Sequence, residues 1–230
     1  MNPLSKGILA LRAGYAFLSL VRNPSKLDDV FVILDGLEKT QGGADIVKEF
    51  TDNPAHAAAF AARPTLAPVD LQALAQLPAG TLGRAFADEM IARKLDPADI
   101  QMRPDDGSEA GFVFRHLRET HDVWHTVTGF DVDVAGELGL QAFYLSQFRA
   151  RLALIILSMG LLNTCFYAIE DRERRMDAIA HGWRLGRQTK GIFGFDWAAH
   201  WETPLEEVRA KLGLVPDARR AEVAAVSQAA

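Results

Sequence analysis

Cysteine is nearly absent from this chain of 230 residues: Cys165 stands alone, so no intrachain disulfide can form and no cysteine-based metal pattern exists. A reducing, cytoplasmic setting suits such a chain. Basic stripes interleaved with aromatics are also lacking, and a net charge of -5 with a pI near 5.7 argues against a phosphate-backbone partner. Nucleic acid is therefore not an expected ligand. No stretch alternates apolar and polar residues as a half-buried strand would, and no Asn-Gly or Asp-Gly turn sits between strand-like segments. Proline is missing between Pro104 and Pro204, so long helices are permitted there. Fixed-period repeats and low-complexity linkers are missing too.

What remains is rich in core-forming material. Hydrophobic residues make up 49% and charged residues 24%, which fits one folded domain of moderate size. Upstream of Pro104 the prolines divide the chain into amphipathic pieces near 4–21, 25–40, 44–52, 55–62, 69–76 and 81–95. In the second, Leu27, Val30, Phe31, Leu34 and Leu37 recur at three- and four-residue spacing. The pattern predicts an all-α, single-domain helical bundle over residues 28–215, preceded by a helix in 1–27 and followed by an Ala-rich tail in 216–230. The first 27 residues hold Lys6, Arg12, Arg22 and Lys26 with no acid before Asp28. Arg12 interrupts the apolar segment and no small-residue cleavage site follows, which speaks against a secretory signal. An amphipathic packing helix and a helix that touches anionic lipid both fit. The run Leu152 to Ile169 has eighteen residues and no charge. Ser158, Gly160, Asn163 and Thr164 within it favour a buried helix over a membrane span.

The densest chemistry lies in His121-Asp122-Val123-Trp124-His125, followed by Glu137: two imidazoles and two carboxylates within seventeen residues. Ser108 as N-cap and Gly129 as stop predict one helix over 108–128. On it His121 and His125 are four apart and Asp122 and His125 three apart, so the three side chains share a face. The loop Gly129 to Asp133 lets the chain reverse into a second helix near Asp133 or Val134, whose first turn brings Glu137 back. A first-turn glutamate is also ordinary dipole complementation, but beside two histidines and a carboxylate it becomes a fourth candidate ligand. Imidazole plus carboxylate suits Zn²⁺, Fe²⁺, Co²⁺ or Mn²⁺ better than Ca²⁺. The peptidase pattern H-E-x-x-H is near, yet Asp122 is too short for its glutamate's role. Arg115 and Arg118 on the same helix are candidates for a carboxylate or phosphate head group, although ordinary helix charges paired with Glu109 or Glu119 read equally well. His56, His116, His181 and His200 lack a partner pattern and read as structural.

The H-D-x-x-H-x₁₁-E pattern at His121, Asp122, His125 and Glu137 resembles the signature of the coenzyme Q biosynthesis protein 4 family. Pro78 to Arg84 (PAGTLGR), Trp183 to Arg187 and Trp201 to Leu214 are similar to further segments of that family, so the resemblance spans most of residues 30–215. The first 27 residues carry no matching motif. The resemblance implies a divalent metal held by His121, Asp122, His125 and Glu137, a polyprenylated quinone precursor as ligand, and a part in ubiquinone synthesis. It further implies oxidative removal of the ring carboxyl at C1, leaving a hydroxyl, and organisation of other ubiquinone-biosynthesis proteins. A peripheral location at the inner membrane and a homodimer accompany these expectations. The apolar run 152–169 then either lines a prenyl pocket or fills the core. Asp122 is the weakest of the four donors and is equally suited to orienting a ligand or acting as a base.

Two other classes compete. A metal-dependent phosphohydrolase of the HD type would use the His121-Asp122 doublet and leave His125 and Glu137 dispensable. It needs a further upstream histidine, and neither His56 nor His116 is well placed. The other is a non-catalytic prenyl-lipid scaffold in which the metal staples two helices together.

Overall fold

A computed structural model describes residues 14–15, 17–19, 21–23, 40–66, 68–97, 106–148 and 151–214. The described elements are α1 (Gln41–Thr51), a 3₁₀ turn (Pro54–His56), α2 (Ala57–Ala62), α3 (Leu71–Leu74), α4 (Leu82–Arg93), α5 (Glu109–Glu119) and α6 (His121–Thr128). They continue with α7 (Val134–Gln147), α8 (Arg151–Tyr167), a 3₁₀ turn (Ile169–Asp171), α9 (Arg172–Gln188), a 3₁₀ turn (Ala198–His200) and α10 (Leu205–Leu212). No strand occurs among the described residues, and the all-α expectation holds. The expected helical pieces at 4–21 and 25–40 and the tail at 216–230 lie largely or wholly outside the described residues.

Local signals set the helix ends. Ser108 caps α5, its Oγ accepting the Gly111 N–H at 2.9 Å, and Asp133 caps α7 by accepting the Gly136 N–H at 2.8 Å. Gly129 stops α6 with φ of 75°, a left-handed conformation that costs glycine nothing. The single helix expected over 108–128 is instead two, α5 and α6, meeting at Thr120. The Thr120 hydroxyl donates to the His116 carbonyl at 2.6 Å, competing with the backbone ladder at that point.

α7 lies at the centre, packed most closely against α9 and also against α8. The α7–α9 contact is backbone-close because glycines face each other: a Cβ on Gly182 would run into the Gly139 carbonyl oxygen. The main core gathers Phe86 of α4, Phe112 of α5, Trp124 of α6, Phe143 of α7 and Ile192, Phe193 and Trp197 beyond α9. Burial of side chains of this size stabilises the fold by roughly 1.5–3 kcal/mol each before conformational entropy is subtracted. The segment Pro78 to Arg84 is zipped to the segment after Trp201: Leu82 N–H donates to Thr203 O at 2.9 Å, and Leu205 N–H to Gly80 O at 2.8 Å. Two stretches far apart in sequence thus support α6 from one side.

α8 corrects the expectation of a buried helix over 152–169. Its Ala153, Leu157, Met159 and Gly160 are buried, with Leu157 packed against Leu138 and Ala142 of α7. Leu154, Leu161, Leu162, Phe166, Tyr167 and Ile169 are exposed. α8 meets α7 through Leu157 and meets Phe17 and Val21 through Ile155, Ile156 and Met159, and its remaining face is left to solvent whatever its composition. Among the described residues no single helix is long and apolar enough to cross a membrane. Beside α8, buried Arg175 of α9 donates Nη1 to Asn163 Oδ1 and Thr164 Oγ1 at 2.8 and 2.9 Å, and Nε to Asp171 at 2.8 Å. The buried polar groups of the apolar run are therefore satisfied between this guanidinium and backbone carbonyls, Asn163 also donating to Val21 O at 2.8 Å and Thr164 to Gly160 O at 2.7 Å.

Candidate metal centre

His121 opens α6 and His125 follows one turn later, while α7 returns antiparallel after a short loop and presents Glu137 from its first turn. His121, His125 and Glu137 each offer one ligand atom, and these atoms all lie within 4.8 Å of one another. The two Nε2 atoms are 3.3 Å apart, His125 Nε2 is 3.1 Å from Glu137 Oε1, and His121 Nε2 is 3.8 Å from Glu137 Oε2. Two nitrogens bound at 2.0–2.1 Å to one tetrahedral ion stand roughly 3.3 Å apart, so this spacing fits a first-row divalent cation. The donor chemistry agrees, because three atoms that ordinarily accept hydrogen bonds converge and need a positive charge or shared protons between them.

Each imidazole is oriented through its other nitrogen. His125 Nδ1 lies 3.0 Å from the Phe130 carbonyl oxygen, and His121 Nδ1 lies 2.9 Å from the Tyr144 hydroxyl. His125 is buried, whereas the side chains of His121 and Glu137 are 32% and 30% exposed. The group is open on one side and closed on the other, as a site that admits a further ligand must be.

The electrostatics favour a cation. Burial would raise the Glu137 carboxyl, but its contacts with His121 and His125 overturn that and hold it well below the ordinary carboxylate range. Burial would lower His121, and the hydrogen bond and charge of Glu137, helped by Asp122, leave it raised. Burial, with the charges of Glu137 and Asp122, pushes the Tyr144 phenol upward, so it keeps its proton.

α6 is held from outside. Arg209 of α10 donates Nε to Val127 O at 2.9 Å and Nη2 to Thr126 O at 3.0 Å, satisfying carbonyls in the last turn. The Thr126 hydroxyl donates to Glu89 of α4 at 2.7 Å.

The structure brings together three of the four predicted donors. Asp122, the neighbour of His121, stays out of the convergent group, although its charge reaches His121 and Tyr144. Arg115 and Arg118 lie on α5, and the Arg115 guanidinium sits 5.9 Å from the Phe112 ring. The remaining histidines serve elsewhere: His116 Nε2 accepts the Gly194 N–H at 3.0 Å, His56 Nδ1 bonds Phe50 O at 3.1 Å, His200 pairs with Lys211, and His181 packs on the Phe130 ring. Sequence reasoning missed Tyr144. Its signal was present, since it follows Glu137 by seven residues and shares that face of α7.

Fold and site together define the class: an all-α protein in which two successive helices converge a two-histidine, one-carboxylate group able to hold a divalent ion. The family model for coenzyme Q (ubiquinone) biosynthesis protein Coq4 matches residues 2–217, further toward the N-terminus than the motifs reach. The chain is 28% identical over 94% of its length to the mitochondrial ubiquinone biosynthesis protein COQ4 homologue of Rattus norvegicus, covering 80% of that protein. It is 31% identical over 66% of its length to the counterpart from Nematostella vectensis, covering 74% of it. A crystal structure titled as a ubiquinone biosynthesis protein from Nostoc punctiforme superposes with a TM-score of 0.76 at 32% identity, over 88% of this chain and 97% of that one. The chain belongs to the coenzyme Q (ubiquinone) biosynthesis protein Coq4 family, and its role lies in ubiquinone biosynthesis beside other proteins of that process.

Proposed function

We propose that this protein is a metal-dependent enzyme that removes the C1 carboxyl group of a polyprenylated hydroxybenzoate ring as carbon dioxide and leaves a hydroxyl in its place, a two-electron oxidation for which dioxygen is the oxidant. The observation that carries the reading is the convergence of His121, His125 and Glu137, with one side open. Two histidines and one carboxylate with free positions are the donor set of non-haem oxygen-using centres. A divalent ion there supplies Lewis-acid chemistry to a ring carboxylate or hydroxyl and, when redox active, one-electron chemistry with dioxygen as oxidant. The protein's share is to hold three donors in place, to keep Glu137 ionised, and to exclude water on the Trp124 side of the site.

Membrane access follows from the ligand class. The exposed row Leu154, Leu161, Phe166 and Tyr167 on α8, with Trp183 on α9, supports peripheral contact with a lipid surface from which a prenylated ring is drawn. We propose the inner membrane as that surface, with the protein also organising neighbouring biosynthetic enzymes. The convergence of His125 and Glu137 with His121, Asp122 lying outside the group, supports this reading over an HD-type phosphohydrolase.

The test is metal analysis of chelator-free protein joined to a turnover assay on a prenylated hydroxybenzoate. Carboxyl loss that depends on metal and disappears in Glu137→Ala, with fold and partner binding intact, supports the enzyme. Carboxyl loss unchanged by Glu137→Ala overturns it, and folded protein with metal but no turnover leaves the scaffold role instead.

A further inference from the structure

The two imidazoles of the donor group have different kinds of partner. A carbonyl oxygen only accepts, so the 3.0 Å contact with Phe130 O places the hydrogen of a neutral His125 on Nδ1 and its lone pair on Nε2, toward Glu137. Among the described residues His121 bonds a side chain and not a carbonyl through Nδ1. Its Nδ1 meets the Tyr144 hydroxyl at 2.9 Å, and the two rings lie nearly parallel, 11° apart in plane with centroids 5.9 Å apart.

Tyr144 is well placed to impose an orientation. It is 8% exposed, it stands two turns beyond Glu137 on the same face of α7, and its ring rests 4.5 Å from that of fully buried Trp124. Phe148 packs behind both, at 5.8 Å from Trp124 and 6.3 Å from Tyr144. The hydroxyl is thus fixed by core packing, while the His121 side chain is a third exposed and, among the described residues, meets the Tyr144 hydroxyl on its Nδ1 side.

We propose that Tyr144 is a positioning residue of the metal centre: its phenol oxygen accepts a hydrogen bond from His121 Nδ1–H and turns Nε2 of that ring toward His125 and Glu137. The inference rests on reading the three-donor group as a metal centre. It gives the site a fixed ligand, His125, locked by backbone, and a second ligand, His121, whose orientation is delegated to one side chain. Tyr144 joins the helix of the histidines to the helix of the glutamate a second time, on the far side of the ring from the ion.

The experiment uses the full chain as wild type, as Tyr144→Phe, and with Tyr144 replaced by a ring-fluorinated tyrosine that keeps the hydroxyl but weakens it as an acceptor. Zn²⁺ affinity is measured by competition with a chromogenic chelator, the visible spectrum of the Co²⁺ form is recorded, and histidine side-chain ¹⁵N shifts are read in the metal-free protein. Tyr144→Phe keeps the stack on Trp124, so its metal-free melting temperature stays near wild type. Its Zn²⁺ affinity falls by about 10–100-fold, as loss of such a partner typically produces. The Co²⁺ spectrum changes, and the His121 ¹⁵N pattern moves while that of His125 does not. The fluorinated residue gives an intermediate loss, and it decides the matter if Tyr144→Phe proves poorly folded. Affinity and Co²⁺ spectrum unchanged in both variants overturn the role of Tyr144 and leave the metal centre standing. A wild type that binds neither Zn²⁺ nor Co²⁺ removes the centre itself.

Discussion

His125 Nδ1 lies 3.0 Å from the carbonyl oxygen of Phe130, the second residue of the loop between α6 and α7. That one contact ties the loop joining the two helices to the ring that both helices use. His125→Ala is therefore expected to act twice. Metal retention falls by more than the roughly 10–100-fold that an outer partner carries. Stability of the metal-free protein falls by about 1–3 kcal/mol, because a buried carbonyl loses its donor. Metal analysis after dialysis and denaturant unfolding in chelator check the two effects separately. Full metal content in the variant would remove His125 from the ligand set.

The pair formed by His121 and Glu137 sets a pH window for the metal-free protein. His121, which burial lowers and Glu137 raises further, ends above its ordinary 6.5. Its contribution is fully present below 6.5 and is lost as pH rises through the raised folded value. Glu137, which burial raises and the two histidines lower further, ends below its ordinary 4.5. Its contribution is fully present above 4.5 and is lost as pH falls through the depressed folded value. The stability difference between wild type and Glu137→Gln, measured with chelator present, is expected to be largest between about pH 4.5 and 6.5. Metal affinity runs the other way, rising above pH 6.5 as the proton on His121 is released. A difference that stays flat from about pH 5 to 9 would contradict the ion-pair account.

Much of this site was legible because its determinants are local. Ser108, Gly129 and Asp133 are cap residues whose side-chain or backbone preferences act within three residues, and the structure uses all three. The spacing of His121 and His125 fixes their common face without reference to the rest of the fold. The break at Thr120 escaped notice because threonine inside a helix is ordinary, and only its turn toward the His116 carbonyl makes it a joint. Exposure along α8 was illegible for a different reason. An uncharged run reports what the helix tolerates, while the side left open depends on where α7 and α9 end up. The arrival of Glu137 is similarly tertiary: the approach of α7 brings that carboxylate to the two histidines, while Asp122, the weakest of the four donors in the sequence, lies outside the convergent group.

The α7–α9 contact predicts a sharp contrast among glycines. At Gly182 an added Cβ meets the Gly139 carbonyl and the Phe143 backbone nitrogen, neither of which can yield without parting the helices. Gly182→Ala is expected to cost at or above the top of the usual range of about 1–3 kcal/mol for overpacking. At Gly191 nothing lies within 4 Å of such a Cβ, so Gly191→Ala serves as the near-neutral control. Thermal unfolding in chelator reads both, at roughly 2–4 °C for each kcal/mol in a chain of this size. Because α7 carries Glu137, residual folded Gly182→Ala should also bind metal more weakly. Equal melting temperatures for the two variants would mean that the helices are less close than this packing requires.

Arg209 extends the site's supports to the end of the described chain. Its guanidinium reaches Val127 O at 2.9 Å, Thr126 O at 3.0 Å and Glu206 at 2.6 Å, so one side chain satisfies the last turn of α6 and is itself held by an acid one turn away on α10. Arg209→Met keeps much of the aliphatic stem and removes the donors, leaving two carbonyls uncapped at a cost of about 1–3 kcal/mol. Arg209→Lys retains the charge but not the fork, and one ammonium cannot replace donors directed at two carbonyls, so only part of the loss is recovered. The consequence for function lies in timing. Val127 and Thr126 adjoin His125, so fraying there loosens a donor of the candidate site that Phe130 otherwise holds. Metal release into excess chelator should be faster in Arg209→Met than in wild type, with Arg209→Lys between them, and hydrogen exchange at the amides of the last turn of α6 should rise in the same order. Faster release without faster exchange would place the effect of Arg209 in electrostatics and not in the end of the helix.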